Sequence, residues 1–540
     1  MKIFTTIFAL FTLMFANAQW VSDTDVNTLV VDAEGGDMKA VGTSLGETYV
    51  VFWEVVPAPV NYELRLQKLD VDGNKMFGNN GMLVSNAIPM STFTVLWNIT
   101  VDADDNLLIG LTGTDNFEAF AFKMDSDGNQ LWGANGIDLG EGVPVTILPL
   151  STGEAIVSWQ NSGSALMQKY DASGNPVWAT AQPIELTASS TRAANMFEIS
   201  NGDYIVVFHK LLTGINSFLY SQRFDSDGNP QWANPIQIAD RATASNRNYT
   251  GFQDGDIVYM GYFASAGARF DSYLQRINSD GTIPWGINGS DFDTNETNYE
   301  TYSDVAFQPG SQYVWSICTY TNTSQSMLGE YVQKFDKDTG ARQFTDNAKQ
   351  LYALSDSDPS IHAGSLQLIN DQPLFLVKNG VDTGVSPVTL STTYLDSNGD
   401  FAWAEETRPL ATFAGSKSRI QFTKPANTQS VGVFIEDKGI GPKIYAQNFK
   451  DETLSVDNVT ANNFKLFYNN PITDLLNIES ESTLKAIYIY DILGKNIFQK
   501  DYTEGIHETK IPTQNWKSGM YFITVQTQKN EVKSAKIVKQ

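Results

Sequence analysis

The stretch AFKMDSDGNQLWGANG, from Ala121 to Gly136, decides the fold, because close variants of it return along much of the chain. It reads as the end of an alternating apolar strand, an acidic tight turn closed by Gly128, and a tryptophan four residues later, Trp132. Asp-x-Asp-Gly-Asn after period-two alternation predicts a hairpin whose glycine takes positive φ. Aligned on that glycine, seven copies appear, at Gly73, Gly128, Gly174, Gly228, Gly281, Gly340 and Gly399. Each is followed four residues on by a large aromatic: Phe77, Trp132, Trp178, Trp232, Trp285, Phe344 or Trp403.

The aromatics are spaced by 55, 46, 54, 53, 59 and 59 residues. Within each period an alternating run comes first, as in EAIVSWQ (154–160), DYIVVFHK (203–210) and YVWSICTY (313–320). A second run then leads into the turn, as in ALMQKYD (165–171), FLYSQRFD (218–225) and EYVQKFD (330–336). The aromatic is expected to open an outer strand, and one upstream strand completes four per unit. Four-stranded units at such a period are the pattern of β-propeller blades. A blade must cover both faces against its neighbours, so the aromatic is expected to wedge between blades. Glutamine recurs three residues before the turn acid or its equivalent, at Gln67, Gln168, Gln222, Gln275, Gln333 and Gln447. That suggests a repeated polar bond holding the hairpin, with no partner legible.

The ends of the array fix the blade number. KIYAQNFK (443–450) is an eighth hairpin strand with no turn or aromatic after it, whereas Trp20 is an aromatic with no strand before it. Trp20 precedes Phe77 by 57 residues, which is one period. The first residues therefore supply the strand that the last blade lacks, and the ring closes without open edges. The expectation is an all-β chain: an eight-bladed propeller (seven blades as alternative) over residues 19–450, followed by a small Ig-like β-sandwich.

The spacing of acid, glycine and aromatic, best seen in FDKDTGARQF (335–344), resembles the tryptophan-docking repeat of quinoprotein-type eight-bladed propellers. The resemblance covers only the hairpin of each blade. Those enzymes use vicinal cysteines and a cofactor-bound calcium, and a chain whose one cysteine is Cys318 has no such pair. No cofactor is expected.

Composition agrees with strands and turns. Of 540 residues 18% are charged and 12% aromatic, and the net charge is −25. That charge argues against nucleic acid and against an anionic membrane surface as partner. Cys318 lies in an alternating apolar run and reads as a small core residue. At the start, Lys2, an apolar run from Ile3 to Phe15 and the small-x-small Ala16-Asn17-Ala18 read as a signal peptide over residues 1–18, cleaved between Ala18 and Gln19. No other segment is long and apolar enough to span a bilayer as a helix.

After the polar segment 451–464, read as a linker, the charge balance changes: residues 465–540 carry ten Lys against eight Asp or Glu. Four ordered motifs follow, LFYNNPITDLLNI (466–478), IYIYDILGKNIF (487–498), KSGMYFITVQT (517–527) and KIVKQ (536–540). Together they resemble the type A C-terminal sorting domain of the type IX (Por) secretion system. The residues that carry the resemblance are Asn470, Pro471, Tyr490, Asp491, Gly494, Gly519, Tyr521 and Lys539. Asn469 stands where the family commonly has proline. The resemblance implies export from a Gram-negative cell: passage to the periplasm, recognition of the tail by the outer-membrane translocon, tail cleavage, then release or surface attachment.

The remaining site candidates are weaker. The turns at Asp70/Asp72, Asp125/Asp127 and Asp225/Asp227 invite calcium but lack the spacing and distal Glu of an EF-hand, and Asp favours tight turns for backbone reasons. The acidic run DFDTNETNYETYSD (291–304) could hold a cation, though such runs are usually solvated loops. The histidines are His209, His362 and His507, and no H-E-x-x-H or Walker loop occurs. No catalytic or metal residue is assigned. Two functions remain: a non-catalytic module binding glycan or protein on its end faces, or a polysaccharide hydrolase using carboxylates near the channel.

Overall fold

The computed structural model describes all residues except 1–19, 33–34, 93–95, 188–189, 214–215, 245–248, 451–465, 492–495 and 529–531. The signal peptide, its Ala18–Gln19 junction, the 451–464 segment and Gly494 lie outside the described residues. The chain divides into two compact units, Met1–Leu454 and Ser455–Gln540.

The first unit is built of eight antiparallel blades. Blade 1 runs Gly35–Gly42, Thr48–Val55, Tyr62–Leu69 and Met82–Ser85. Blades 2 to 6 repeat that order, beginning at Trp97, Val145, Thr191, Thr250 and Tyr299. Strand Thr407–Phe422 serves two blades: its first half is the outer strand of blade 7, and its second half is the first strand of blade 8. The first strand of every blade touches the first strands of both neighbours, blade 8 against blade 1 included. The ring is therefore closed around a channel. In each blade the start of the first strand pairs with the end of the second, as in Val145 with Trp159. Connections between blades thus emerge at one end of the channel and the glycine turns at the other.

Closure is made by Thr28–Val31, which pairs antiparallel with Pro442–Lys450 and completes blade 8. The expected N-terminal strand exists, eight residues downstream of Trp20. Trp20 itself does something else: its Nε1–H donates to the Val71 carbonyl at 2.9 Å, in the glycine turn of blade 1.

That contact is one of a series. A Cβ at Gly73 would come within 3.2 Å of the Trp20 ring, one at Gly128 of the Phe77 ring, and so on through Trp132 on Gly174, Trp178 on Gly228, Trp232 on Gly281, Trp285 on Gly340 and Phe344 on Gly399. Each aromatic docks on the turn glycine of the following blade, where only a missing side chain leaves room for a ring. Trp178, Trp232 and Trp285 also donate their indole N–H to the carbonyl two residues before that glycine. The aromatics sit in the turn that precedes each outer strand, so the expectation that they open that strand is corrected. Among the described residues Trp403 meets no turn glycine; it packs on Phe449, 5.6 Å between ring centroids.

The recurrent glutamine holds the docking aromatic's backbone. Gln67 Oε1 accepts from Phe77 N at 3.0 Å while its Nε2 donates to Gly78 O at 2.6 Å. Gln222 brackets Trp232, and Gln333 brackets Phe344, in the same way.

The second unit pairs its strands in the order Leu466–Tyr468, Leu475–Asp491, Gly519–Thr527, Val532–Lys539, with Asn496–Pro512 also pairing Leu475–Asp491. The long central strand shifts register between Glu479 and Leu484, so its two halves serve different partners and fold over a core that includes Ile472, Leu476, Ile487 and Ile523. The result is sandwich-like.

Candidate functional site: a cavity in the propeller channel

A cavity of about 540 Å³ lies among the first strands of blades 8, 1, 2 and 3. Its polar wall is made by Asp37, Lys39, Asn98, Arg419 and Gln421, and its apolar wall chiefly by Trp97. Two β-bulges place the charged groups. Between Gly35 and Met38 the first strand of blade 1 carries one residue more than its partner, and between Ser418 and Gln421 blade 8 does the same. A bulge twists the strand and re-aims its side chains. Asp37 lies in the first bulge; Arg419 lies in the second, with φ +54°. That conformation costs a non-glycine residue energy and persists only where its surroundings enforce it.

Asp37 is fully engaged. It accepts from Trp97 Nε1 at 3.0 Å and Met38 N at 2.9 Å, and pairs with Arg419 Nε at 2.9 Å. The Arg419 side chain remains 46% exposed. Lys39 lies over the Trp97 ring, 5.8 Å from its centroid. Burial pushes the Lys39 ammonium below its ordinary range, against the favourable charge of Asp37.

The other polar groups singled out from sequence lie elsewhere. At Asp70, Asp125 and Asp225 one carboxylate oxygen accepts two backbone N–H groups of its own turn and the other an asparagine amide. These acids cap turns, as their backbone chemistry suggests. Among the described residues no cluster of three or more His, Cys, Asp or Glu could hold a metal ion.

The run 291–304 is not a solvated loop: Asp293, Glu300 and Asp304 are buried. Tyr320 Oη donates to Asp293 Oδ2 at 2.6 Å, and Ser272 N donates to Glu300 Oε2 at 2.7 Å. Burial, then the charges of Asp271 and Asp293, push Asp291 up to about 7; burial, then Asp293 and Asp291, push Glu300 well above the carboxylate range. His209 is buried against Ser217, and His507 contacts the Ser480 carbonyl. His362 Nδ1 meets buried Glu330 at 2.8 Å; burial lowers its pKa, but the Glu330 charge and bond outweigh that and raise it. Cys318 is buried, and burial pushes its thiol up, away from the reactive thiolate.

In the second unit Asn470 ties the turn at Pro471 to the strand Val532–Lys539, its Oδ1 accepting from Val538 N at 2.9 Å and its Nδ2 donating to Lys536 O at 3.2 Å. Asn469, in the proline position, donates to Leu475 O and accepts from Asn477 N, so it fixes the turn around Pro471 by hydrogen bonds. Tyr490 and Asp491 end the long strand, and Gly519 pairs with Lys539. Tyr521 is buried, its hydroxyl donating to Lys517 O at 2.8 Å.

No curated protein matches the sequence. Among solved structures, the Dos1 propeller is similar at 12% identity and a TM-score of 0.42, over 78% of this chain and 95% of that one. A puromycin hydrolase complexed with PGG aligns at 11% identity and TM-score 0.39, over 77% of this chain and 61% of its own. Prolyl oligopeptidase B from Galerina marginata, bound to a 35mer substrate, aligns at 11% and 0.40, over 92% and 56%. This chain thus spans about three fifths of the length of those two enzymes. The family model for the secretion system C-terminal sorting domain matches residues 466–540. The tail is therefore a type IX sorting domain, and the β-propeller it carries is exported to the cell surface or beyond.

Proposed function

We propose that the mature protein, released from its signal peptide between Ala18 and Gln19, is a non-catalytic binding module for a glycan or protein. In this reading the propeller spans residues 19–450, a linker 451–464 and the sorting domain 465–540, and the ligand enters the channel cavity. Asn470, Pro471, Tyr490, Asp491, Gly494, Gly519, Tyr521 and Lys539 would form the part of the tail that the translocon reads. The observation that carries the reading is the state of Asp37, the one carboxylate among the described residues lining the cavity, bound by an indole N–H, a backbone N–H and a guanidinium. Two-carboxylate hydrolysis needs an acid and a second carboxylate about 5–10 Å apart across the scissile bond. Asp293 and Glu300 are buried in the wall between blades 5 and 6 and do not line the cavity. Titrating the protein against a polysaccharide panel, with binding and reducing-end release measured in the same samples, tests this. Saturable binding without new reducing ends is expected; release of reducing ends would make it a hydrolase.

A further inference from the structure

The cavity carries two cations in a chain of net charge −25. Arg419 uses only Nε on Asp37, and its remaining N–H groups have no hydrogen-bond partner among the described residues. Lys39 contacts the Trp97 face, and its ammonium has no hydrogen-bond acceptor among the described residues. A half-desolvated ammonium without an acceptor costs stability. So does a non-glycine residue at positive φ, which Arg419 is. Two such costs on the polar wall of one cavity indicate that the groups are held for something that enters it.

We infer that the channel cavity binds a carboxylate, held between Arg419 and Lys39, on an otherwise neutral sugar chain; this rests on the binding reading above. Guanidinium and carboxylate match in geometry, and an ammonium supplies a second, point-like charge. The surrounding charge selects against polyanions, since the field of the whole protein repels them while one seated carboxylate meets local cations. The side-chain amides of Asn98 and Gln421 line the same wall and suit hydroxyl groups better than apolar side chains. A terminal uronic acid on a neutral glycan has this chemistry.

The test is calorimetric titration of the full mature chain with three probes. These are a disaccharide of glucuronic acid and a neutral sugar, its carboxyl-reduced alcohol, and an N-acetylated tripeptide of uncharged side chains with a free C-terminal carboxylate. The uronate disaccharide should bind, and its reduced form about 10- to 100-fold more weakly, the loss expected for a charge-assisted hydrogen bond. Lys39→Met and Arg419→Gln should each cause a loss of that order. Lys39→Met should leave the melting temperature unchanged or raised, because the cost of burying the ammonium outweighs the charge of Asp37; a weakened ligand with an intact fold is the supporting result. Equal affinity for acid and alcohol, or full affinity in both variants, overturns the assignment while leaving the binding reading in place. Preference for the tripeptide overturns the sugar source, and no binding of any probe overturns the inference as a whole. Hydrolysis of the disaccharide during titration would instead sink the binding reading.

Discussion

Gln447 donates its side-chain amide to the carbonyl of Val21 at 2.8 Å, across 426 residues of sequence. Val21 follows Trp20 as Gly78 follows Phe77, so the bond is the amide half of the bracket that Gln67 makes within blade 1. The closing blade thus reuses the hairpin chemistry of the others with the aromatic supplied from the far end of the propeller. Gln447→Leu should cost about 1–3 kcal/mol, because it strands a half-buried carbonyl. Deleting residues 20–24 should cost more, since the docked indole goes too. Chemical denaturation measures both; an unchanged midpoint for the deletion would mean that the docked Trp20 adds nothing to the closing blade.

Gly174 takes φ +83°, and a Cβ there would lie 2.9 Å from Trp132; Gly133 takes φ +86° with nothing within 4 Å. Alanine at Gly133 should cost only the backbone term, about 1–2 kcal/mol. Gly174→Ala should cost roughly double, the excess being displacement of the ring. Equal losses would mean that the ring does not press on the turn.

Trp178 is buried, donates to Ser226 O at 3.2 Å and stacks near Tyr204. Trp178→Ala should cost about 3–5 kcal/mol through lost contact and a residual cavity. Affinity of the folded fraction for any ligand should not change. Were the tryptophans exposed sugar platforms, the loss would stay within about 0.5 kcal/mol and binding would fall instead.

The raised carboxylates Asp291 and Glu300 give a pH dependence of defined sign. A group whose folded pKa lies above its unfolded value stabilises most when protonated, and that contribution is lost as pH rises through the folded value. For Asp291 the window runs from the ordinary value of 3.8 to about 7. Glu300→Gln keeps an acceptor for Ser272 N and removes a buried charge and its repulsion of Asp291 and Asp293. The variant should gain stability over wild type at pH 8 and little at pH 4. A gain independent of pH would contradict it.

Export should depend on the tail and folding of the propeller should not. The two units are separately compact, and the sorting-domain match is confined to the second. A chain ending at Leu454 should melt cooperatively yet stay inside the outer membrane. Normal amounts in the medium would detach the tail from export.

Much of this architecture was legible in the sequence because propeller blades are specified locally. Strand alternation, a turn that needs glycine and an aromatic at fixed offset all lie within one period. The spare Trp20 and the unpaired strand at 443–450 made closure legible too. The partner of the repeated glutamine was not, since the bond goes to backbone, which has no sequence identity. Nor was the burial of 291–304: acids in a polar-looking run give no sign that a neighbouring blade will cover them. The cavity is wholly tertiary. Asp37 and Arg419 stand near opposite ends of the propeller sequence and meet only because the ring closes. The bulges that aim them arise from one-residue mismatches between paired strands. Register of that kind belongs to a pair of strands, and neither strand's sequence contains it alone.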